Sequence, residues 1–251
     1  MKNEVFLTVE SLINLSGKLL RQTGDERVTT EHWVICQTDA VDSGYCRTYI
    51  RSCPEGEEAA MVNSLIEKIS AGELPPLVML TKEEVPAALV TELEKAGFTV
   101  MKNQNGMIIN IEDYQAMPAD PNVVRISAEE LPAWSDIGIK AFGRKKSELP
   151  VLQMFHKDPT CMFYGYQVDG KLVGTLMMSL QPGNAGIHEV ATEEAYRGRG
   201  ICTALMNRAL LDAREMGYPV MSLQASVFGE PVYARMGMKT ICHMTTYKLA
   251  L

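Results

Sequence analysis

Apolar residues along this chain switch repeatedly between a helical spacing and short continuous or alternating runs. Val9, Leu12, Ile13, Leu15, Leu19 and Leu20 fall on one helical face, so the spacing predicts an opening amphipathic helix. Trp33-Val-Ile-Cys-Gln37 predicts a strand, Asp42-Ser43-Gly44 a turn, and Tyr45 to Ile50 a second strand. Met61, Leu65, Ile66 and Ile69 return to the helical step, and that helix ends near Gly72. Pro75-Pro76 opens a buried strand, Leu77-Val-Met-Leu80. Glu83 to Ala96 reads as a helix with Pro86 in its first turn and Gly97 as its C-terminal cap. Met107-Ile-Ile-Asn-Ile111 is the last strand of this half. Strands alternating with helices predict an α/β layer.

The pattern then breaks. Gln115-Ala-Met-Pro118-Ala-Asp-Pro121-Asn122 has two prolines and no apolar period, which predicts a linker. The expected domains are therefore 1–117 and 122–251.

Val123-Val-Arg-Ile126 reads as a strand. Ser127 with Glu130 three residues on has the spacing of a capping box, and the helix it opens carries Leu131, Trp134, Ile137 and Ala141. Phe163 to Val168, Asp169-Gly170 and Lys171 to Leu180 predict a hairpin on a primed two-residue turn. Gln181-Pro-Gly-Asn184 is a second turn, and Ala185 to Thr192 is the next strand. A helix follows with Leu205, Ala209 and Ala213 on one face, ending at Gly217 with Pro219 just beyond. Val220 to Ala225 is a strand, a short helix carries Tyr233, and Met238 to Leu249 is the final strand. Met177, Met178, Met206 and Met216 read as core filler. Asp212 and Glu215 read as a solvated helix face.

Composition narrows the classes of function. The 251 residues suit one large domain or two ordinary ones. A net charge of -7 with no basic run argues against a nucleic-acid partner. No apolar stretch reaches the length of a membrane span, and the first residues have no signal-peptide core. The six cysteines are scattered without a Cys-x-x-Cys pair. That predicts reduced thiols, a cytoplasmic location and no metal site.

The candidate chemistry lies between the strand ending at Thr192 and the helix carrying Leu205. Two glycines flank one Arg in Arg197-Gly198-Arg199-Gly200, so the backbone there can turn tightly and approach a ligand closely. The N–H groups of this loop and of the first helical turn would point into one concavity, where the helix dipole favours an anion. No Lys-Ser or Lys-Thr pair follows the glycines, so this is not a Walker loop. The glycine spacing is also narrower than in a dinucleotide fold.

On these residues, positions 123 to 251 resemble the Gcn5-related N-acetyltransferase (GNAT) family. Its signature is Gln or Arg, two residues, Gly, one residue, then Gly or Ala. Arg197-Gly-Arg-Gly200-Ile-Cys202 matches with Cys202 in the last place. The run from Leu223 to Met238 resembles the family's second half, with Met238 where an aromatic is usual. The predicted order of elements agrees as well. The resemblance implies a mixed-sheet α/β (α+β) acyl-CoA N-acyltransferase fold, with acetyl-CoA as co-substrate and no metal. It implies acetyl transfer to a primary amine of a small molecule or peptide, by direct attack on the thioester.

Carried over residue by residue, the resemblance places the cofactor pyrophosphate on the backbone of Arg197, Gly198, Arg199, Gly200, Ile201, Cys202 and Thr203. The pantetheine arm would pair with Val190, Ala191 and Thr192 like an added strand. It would lie where this strand splays from Val220 to Ala225, with Ser226 as a further contact. A backbone N–H near Val190 or Ala191 would polarise the carbonyl. Tyr233 would protonate the departing thiolate. The proton of the amine has three routes. Glu189 and His188 are adjacent on the strand, so only one is expected to face the cleft. Glu189 is the preferred base, and the imidazole of His188 also suits the role. A water chain would serve without either. The alternative reading is a non-catalytic acyl-CoA-binding sensor or scaffold that keeps the loop and lacks the chemistry.

Leu77 to Ile111 resembles, more weakly, the back half of the same fold, without an Arg-x-x-Gly-x-Gly loop. This implies a tandem arrangement whose first copy is degenerate and binds no cofactor. Such a copy would wall the acceptor pocket or form a homodimer interface. An unrelated α/β domain is the other reading of this half.

Overall fold

A computed structural model of the chain describes residues 2–40, 43–144 and 149–249, with side chains from residue 4 onward. The elements are α1 (Lys2–Thr23), β1 (Val28–Thr29), β2 (Trp33–Cys36), β3 (Arg47–Ile50), α2 (Glu58–Ser70), β4 (Leu77–Thr81), α3 (Ala87–Lys95), β5 (Phe98–Asn110), β6 (Val123–Arg125), α4 (Leu131–Phe142), α5 (Leu149–Lys157), β7 (Cys161–Val168), β8 (Lys171–Gln181), β9 (Asn184–Thr192), α6 (Ile201–Glu215), β10 (Val220–Ala225), α7 (Glu230–Arg235) and β11 (Lys239–Leu249). The turn expected at Asp42-Ser43-Gly44 lies partly outside the described residues.

The chain forms two compact units that interleave in sequence. One is Met1–Leu12 with Met107–Ile241, and the other is Ile13–Gly106 with Cys242–Leu251. Neither begins nor ends at the proline-containing stretch 115–122.

In the first unit β5 lies beside β10, and the order continues β9, β8, β7, β6. Pairing is antiparallel from β6 through β9 and parallel between β9 and β10. Leu205, Ala209, Leu210 and Ala213 of α6 are buried in one apolar cluster with Leu176, Met178, Ile187 and Met221. The expected helical face is therefore the packed one. Trp134 of α4 is fully buried; its indole N–H donates to the Tyr164 carbonyl at 2.8 Å, and its ring meets Phe163 edge-on at 5.0 Å. A buried indole requires such a partner.

Several details depart from the sequence reading. The Ser127 N–H does reach the Glu130 carboxylate at 3.0 Å, but the helix starts only at Leu131, with a proline in its first turn. Helix α5 was not expected; it buries Val151, Leu152 and Phe155. Asp212 is not simply solvated. It accepts the Tyr164 hydroxyl at 2.8 Å and Arg208 Nε at 2.7 Å, with only 13% of its side chain exposed. Burial first, and the Asp212 carboxylate second, push the Tyr164 hydroxyl well above its usual range.

The start of α1 also belongs to this unit. Asn184 Nδ2 donates to the Leu7 carbonyl at 3.0 Å, and Gln224 Nε2 donates to the Thr8 carbonyl at 2.9 Å. Gly186 of β9 lies against this helix, and a methyl group there would overlap the Ser11 hydroxyl.

The second unit orders β1, β2, β3, β4 and β11. β3 and β4 are parallel, joined through α2, and β11 runs antiparallel to β4. Leu65 and Ile69 of α2 pack with Leu89 and Leu93 of α3 over Val78, Leu80 and Tyr247. Tyr49 is buried with its hydroxyl 3.0 Å from Ser16 Oγ. α3 begins at Ala87, not Glu83, because Pro86 disfavours helical backbone at the residue before it. Glu83 instead accepts the His243 backbone N–H at 2.9 Å and contacts its ring Nδ1 at 2.6 Å.

Candidate functional site

Between Thr175 and Met177 the register of β8 against β9 shifts, so Leu176 alone faces both Glu189 and Val190. This is a β-bulge, and Glu189 within it takes φ +55°. Left-handed backbone costs a residue with a Cβ about 1–2 kcal/mol. Two contacts offset it: Thr175 Oγ1 donates to the Glu189 carbonyl at 2.7 Å, and Arg144 Nη1 reaches both carboxylate oxygens at 2.7 Å. The Glu189 side chain is 4% exposed.

The bulge sends neighbouring side chains to different partners. Glu189 lies against Gly138 of α4, while His188 is buried with Nε2 3.4 Å from Ser11 Oγ of α1.

Beyond the bulge, β9 loses its other neighbour. Parallel pairing with β10 runs from Asn184 opposite Val220 to Ile187 opposite Leu223 and stops, although β9 continues to Thr192 and β10 to Ala225. Val190, Ala191 and Thr192 therefore lie on the stretch of β9 that has separated from β10. On its far side this stretch is still held by β8, with Ala191 opposite Thr175 and Thr192 opposite Gly174.

The strand runs into a single 3-10 turn, Glu194–Tyr196, and then the glycine loop. Gly198 has φ +76° and Gly200 φ +79°, conformations that side chains with a Cβ adopt only under strain. Gly200 is the N-cap of α6 and provides no side-chain cap, so the first N–H groups of that helix have no capping side chain there. The two arginines turn back onto the loop. Arg197 Nε donates to the Thr192 carbonyl at 3.3 Å, and Arg199 Nη2 donates to the Ala195 carbonyl at 3.0 Å with its guanidinium over the Tyr196 ring. Ile201 is buried over Gly174, while Cys202 and Thr203 are half-buried.

Across from the loop, Tyr233 of α7 is 7% exposed. Its hydroxyl lies beside the Cys202 thiol. Burial above all, with Cys202 adding to it, holds the Tyr233 hydroxyl well above its usual range, so it is protonated throughout neutral pH. Burial likewise pushes the Cys202 thiol up to about 11. The structure thus brings Tyr233 to the helix start, beside the signature position where Cys202 stands. Ser226 Oγ accepts the Gly229 N–H at 3.2 Å, closing the exposed turn before α7. Arg144 and Ser11 were not foreseen, because neither stands at a spacing that ties it to β9.

Comparison with known proteins agrees with this geometry. The acetyltransferase (GNAT) family pattern matches residues 124–238. The chain is 29% identical over 119 residues to an uncharacterized N-acetyltransferase of Methanocaldococcus jannaschii, covering 46% of this chain and 76% of that protein. A GCN5-related N-acetyltransferase from Kribbella flavida superposes with a TM-score of 0.73 at 18% identity, over 98% of this chain and 96% of its own. One from Sphaerobacter thermophilus does so with a TM-score of 0.61 at 16% identity, over 94% and 90%. At these identities the structural likeness is one of fold, and it takes in both units. The bulged and splayed strand, the glycine loop and the matched segment coincide: residues 124–238 match the GNAT acetyltransferase family, and this match together with the archaeal N-acetyltransferase relative supports an acetyl-CoA-dependent acyltransferase.

Proposed function

We propose that the protein transfers the acetyl group of acetyl-CoA to a primary amine of a small molecule or peptide, by direct attack on the thioester. The observation that carries this is the separation of β9 from β10 beside the glycine loop. It leaves unpaired strand backbone leading from an anion-binding helix start toward Tyr233. The pyrophosphate rests on the backbone of Arg197 to Thr203, and the pantetheine amides pair with Val190, Ala191 and Thr192 as an added strand would. Ser226 borders the arm at the end of β10.

The amine nitrogen attacks the acetyl carbon, and a backbone N–H near Val190 or Ala191 stabilises the oxyanion. As the carbon–sulfur bond breaks, Tyr233 donates its proton to the thiolate. Glu189 receives the proton that the amine releases. We also infer a partner other than nucleic acid from the net charge of -7, a cytoplasmic location from the scattered cysteines, and a degenerate N-terminal copy without a cofactor loop, in a homodimer, from the fold likeness of both units.

Calorimetric titration with acetyl-CoA and steady-state acetylation of an amine panel test this together. Tyr233→Phe is expected to lower kcat about 10²-fold or more while leaving acetyl-CoA affinity within about threefold. Unchanged turnover in that variant would remove Tyr233 from the chemistry. Gly198→Trp and Gly200→Trp are expected to abolish acetyl-CoA binding.

A further inference from the structure

The Glu189 carboxylate is enclosed rather than solvated. Its side chain is 4% exposed, and that of Arg144 is 27% exposed. A single nitrogen, Arg144 Nη1, lies 2.7 Å from each carboxylate oxygen. The two residues stand 45 positions apart on different elements, so their meeting depends on how α4 ends. Gly143 stops the helix in a left-handed turn, φ +63°, and the Arg144 N–H closes that turn on the Ile139 carbonyl at 3.0 Å. The guanidinium then lies over the Phe142 ring, 4.7 Å from its centre. Arg144 is therefore held at both ends, by its backbone and by its charged head. The carboxylate itself lies along α4 at Gly138, where a methyl group would already touch Oε2 at 3.6 Å.

The surroundings show what this contact does. From α4, Arg144 is the charge in contact, while Asp136 and Lys140 are exposed. From β8, the residues at the bulge are Thr175 and Leu176, both uncharged. His188, next to Glu189 on β9, turns instead to Ser11 of α1. Burial disfavours an ionised carboxylate, and a cation in contact favours it. An enclosed glutamate with no counter-ion is drawn toward its protonated form, and a protonated carboxyl takes up no proton. The arginine thus gives up some basicity to keep the acid in the form that can act. It also braces the left-handed backbone at φ +55°, whose torsions set the direction of the Val190 N–H.

We propose that Arg144 is a positioning residue for acetyl transfer: it holds the Glu189 carboxylate charged and in place to take the proton of the amine. The proposal rests on Glu189 being the base. Two readouts on the full chain test it, with thermal melts confirming that each variant is folded. The first is ¹³C NMR of protein labelled at the glutamate carboxyl carbon, the Glu189 signal being identified by its loss in Glu189→Gln. That signal should titrate about one pH unit or more higher in Arg144→Gln than in the wild type. The second is the pH profile of kcat/KM, with acetyl-CoA and the amine of the panel that is acetylated fastest. The part of the acidic limb that Glu189→Gln removes should move up by the same amount in Arg144→Gln, while the plateau above it falls no more than about threefold. Arg144→Lys, whose one ammonium can stand for the one bridging nitrogen, should bring both midpoints most of the way back. A loss of rate at every pH with both midpoints unmoved would overturn the proposal and leave Arg144 a structural brace. A Glu189→Gln variant with the wild-type rate and acidic limb would instead overturn Glu189 as the base, and the role of Arg144 with it.

Discussion

Tyr233 and Cys202 form a pair of neutral groups at the start of α6. With Cys202 up at about 11, its thiol is un-ionised at neutral pH and its nucleophilicity is suppressed. Alkylation by iodoacetamide, followed by mass spectrometry at this residue, should be slow at pH 8 and rise about tenfold per pH unit toward pH 11. A plateau near pH 8.5 would contradict the buried placement. Tyr233 should not impose an alkaline fall on kcat below about pH 10, because a raised hydroxyl stays protonated beyond the ordinary tyrosine range. At the bulge, Glu189→Gln is expected to lower kcat/KM about 10²-fold or more if the carboxylate takes the amine's proton. Arg144→Gln removes one charged partner from a nearly enclosed carboxylate. It should cost stability by about 1.5–3 kcal/mol, read from denaturant melts. The glycines and Tyr233 were legible because a left-handed loop and a proton donor each leave a residue-type signature. Glu189 was legible only as an acid. Its left-handed backbone, and Arg144 opposite it, follow from a bulge that no residue type announces.

At the scale of elements, apolar spacing located most helices and strands but not all their ends. α5 escaped because its buried positions, Val151, Leu152 and Phe155, fill barely more than one turn. β5 begins at Phe98, well before the Met107 run, because residues 99 to 103 are exposed and carry no alternation. The segment after β5 was read as a linker for want of apolar period, yet polar side chains of α6 fasten it. Asn207→Ala should release Met117 and the Tyr114 hydroxyl and lower stability by about 1–3 kcal/mol, visible as a lower melting temperature. An unchanged melt would mean that the segment holds itself.

At the scale of the whole molecule, the chain passes between its units at residues 12–13, 106–107 and 241–242. Local pattern could not reveal this, because membership of a unit depends on contacts distant in sequence. The first half of α1 is the clearest case: its face was legible, but its attachment to Asn184, Gln224 and Gly186 was not. A fragment of residues 122–251 lacks that half-helix and the end of β5, and it carries most of β11 away from the unit to which that strand belongs. It should melt well below the full chain and show broadened, less cooperative unfolding. A fragment as stable as the whole would mean that these pieces contribute little. The three crossings of the chain also set a rule for shuffling. A chimaera made with one splice point, however well placed in the proline-containing stretch, gives each parent half of its partner's architecture. Only an exchange with three matched junctions transplants a unit intact, so neither unit can be engineered as a contiguous half of the chain.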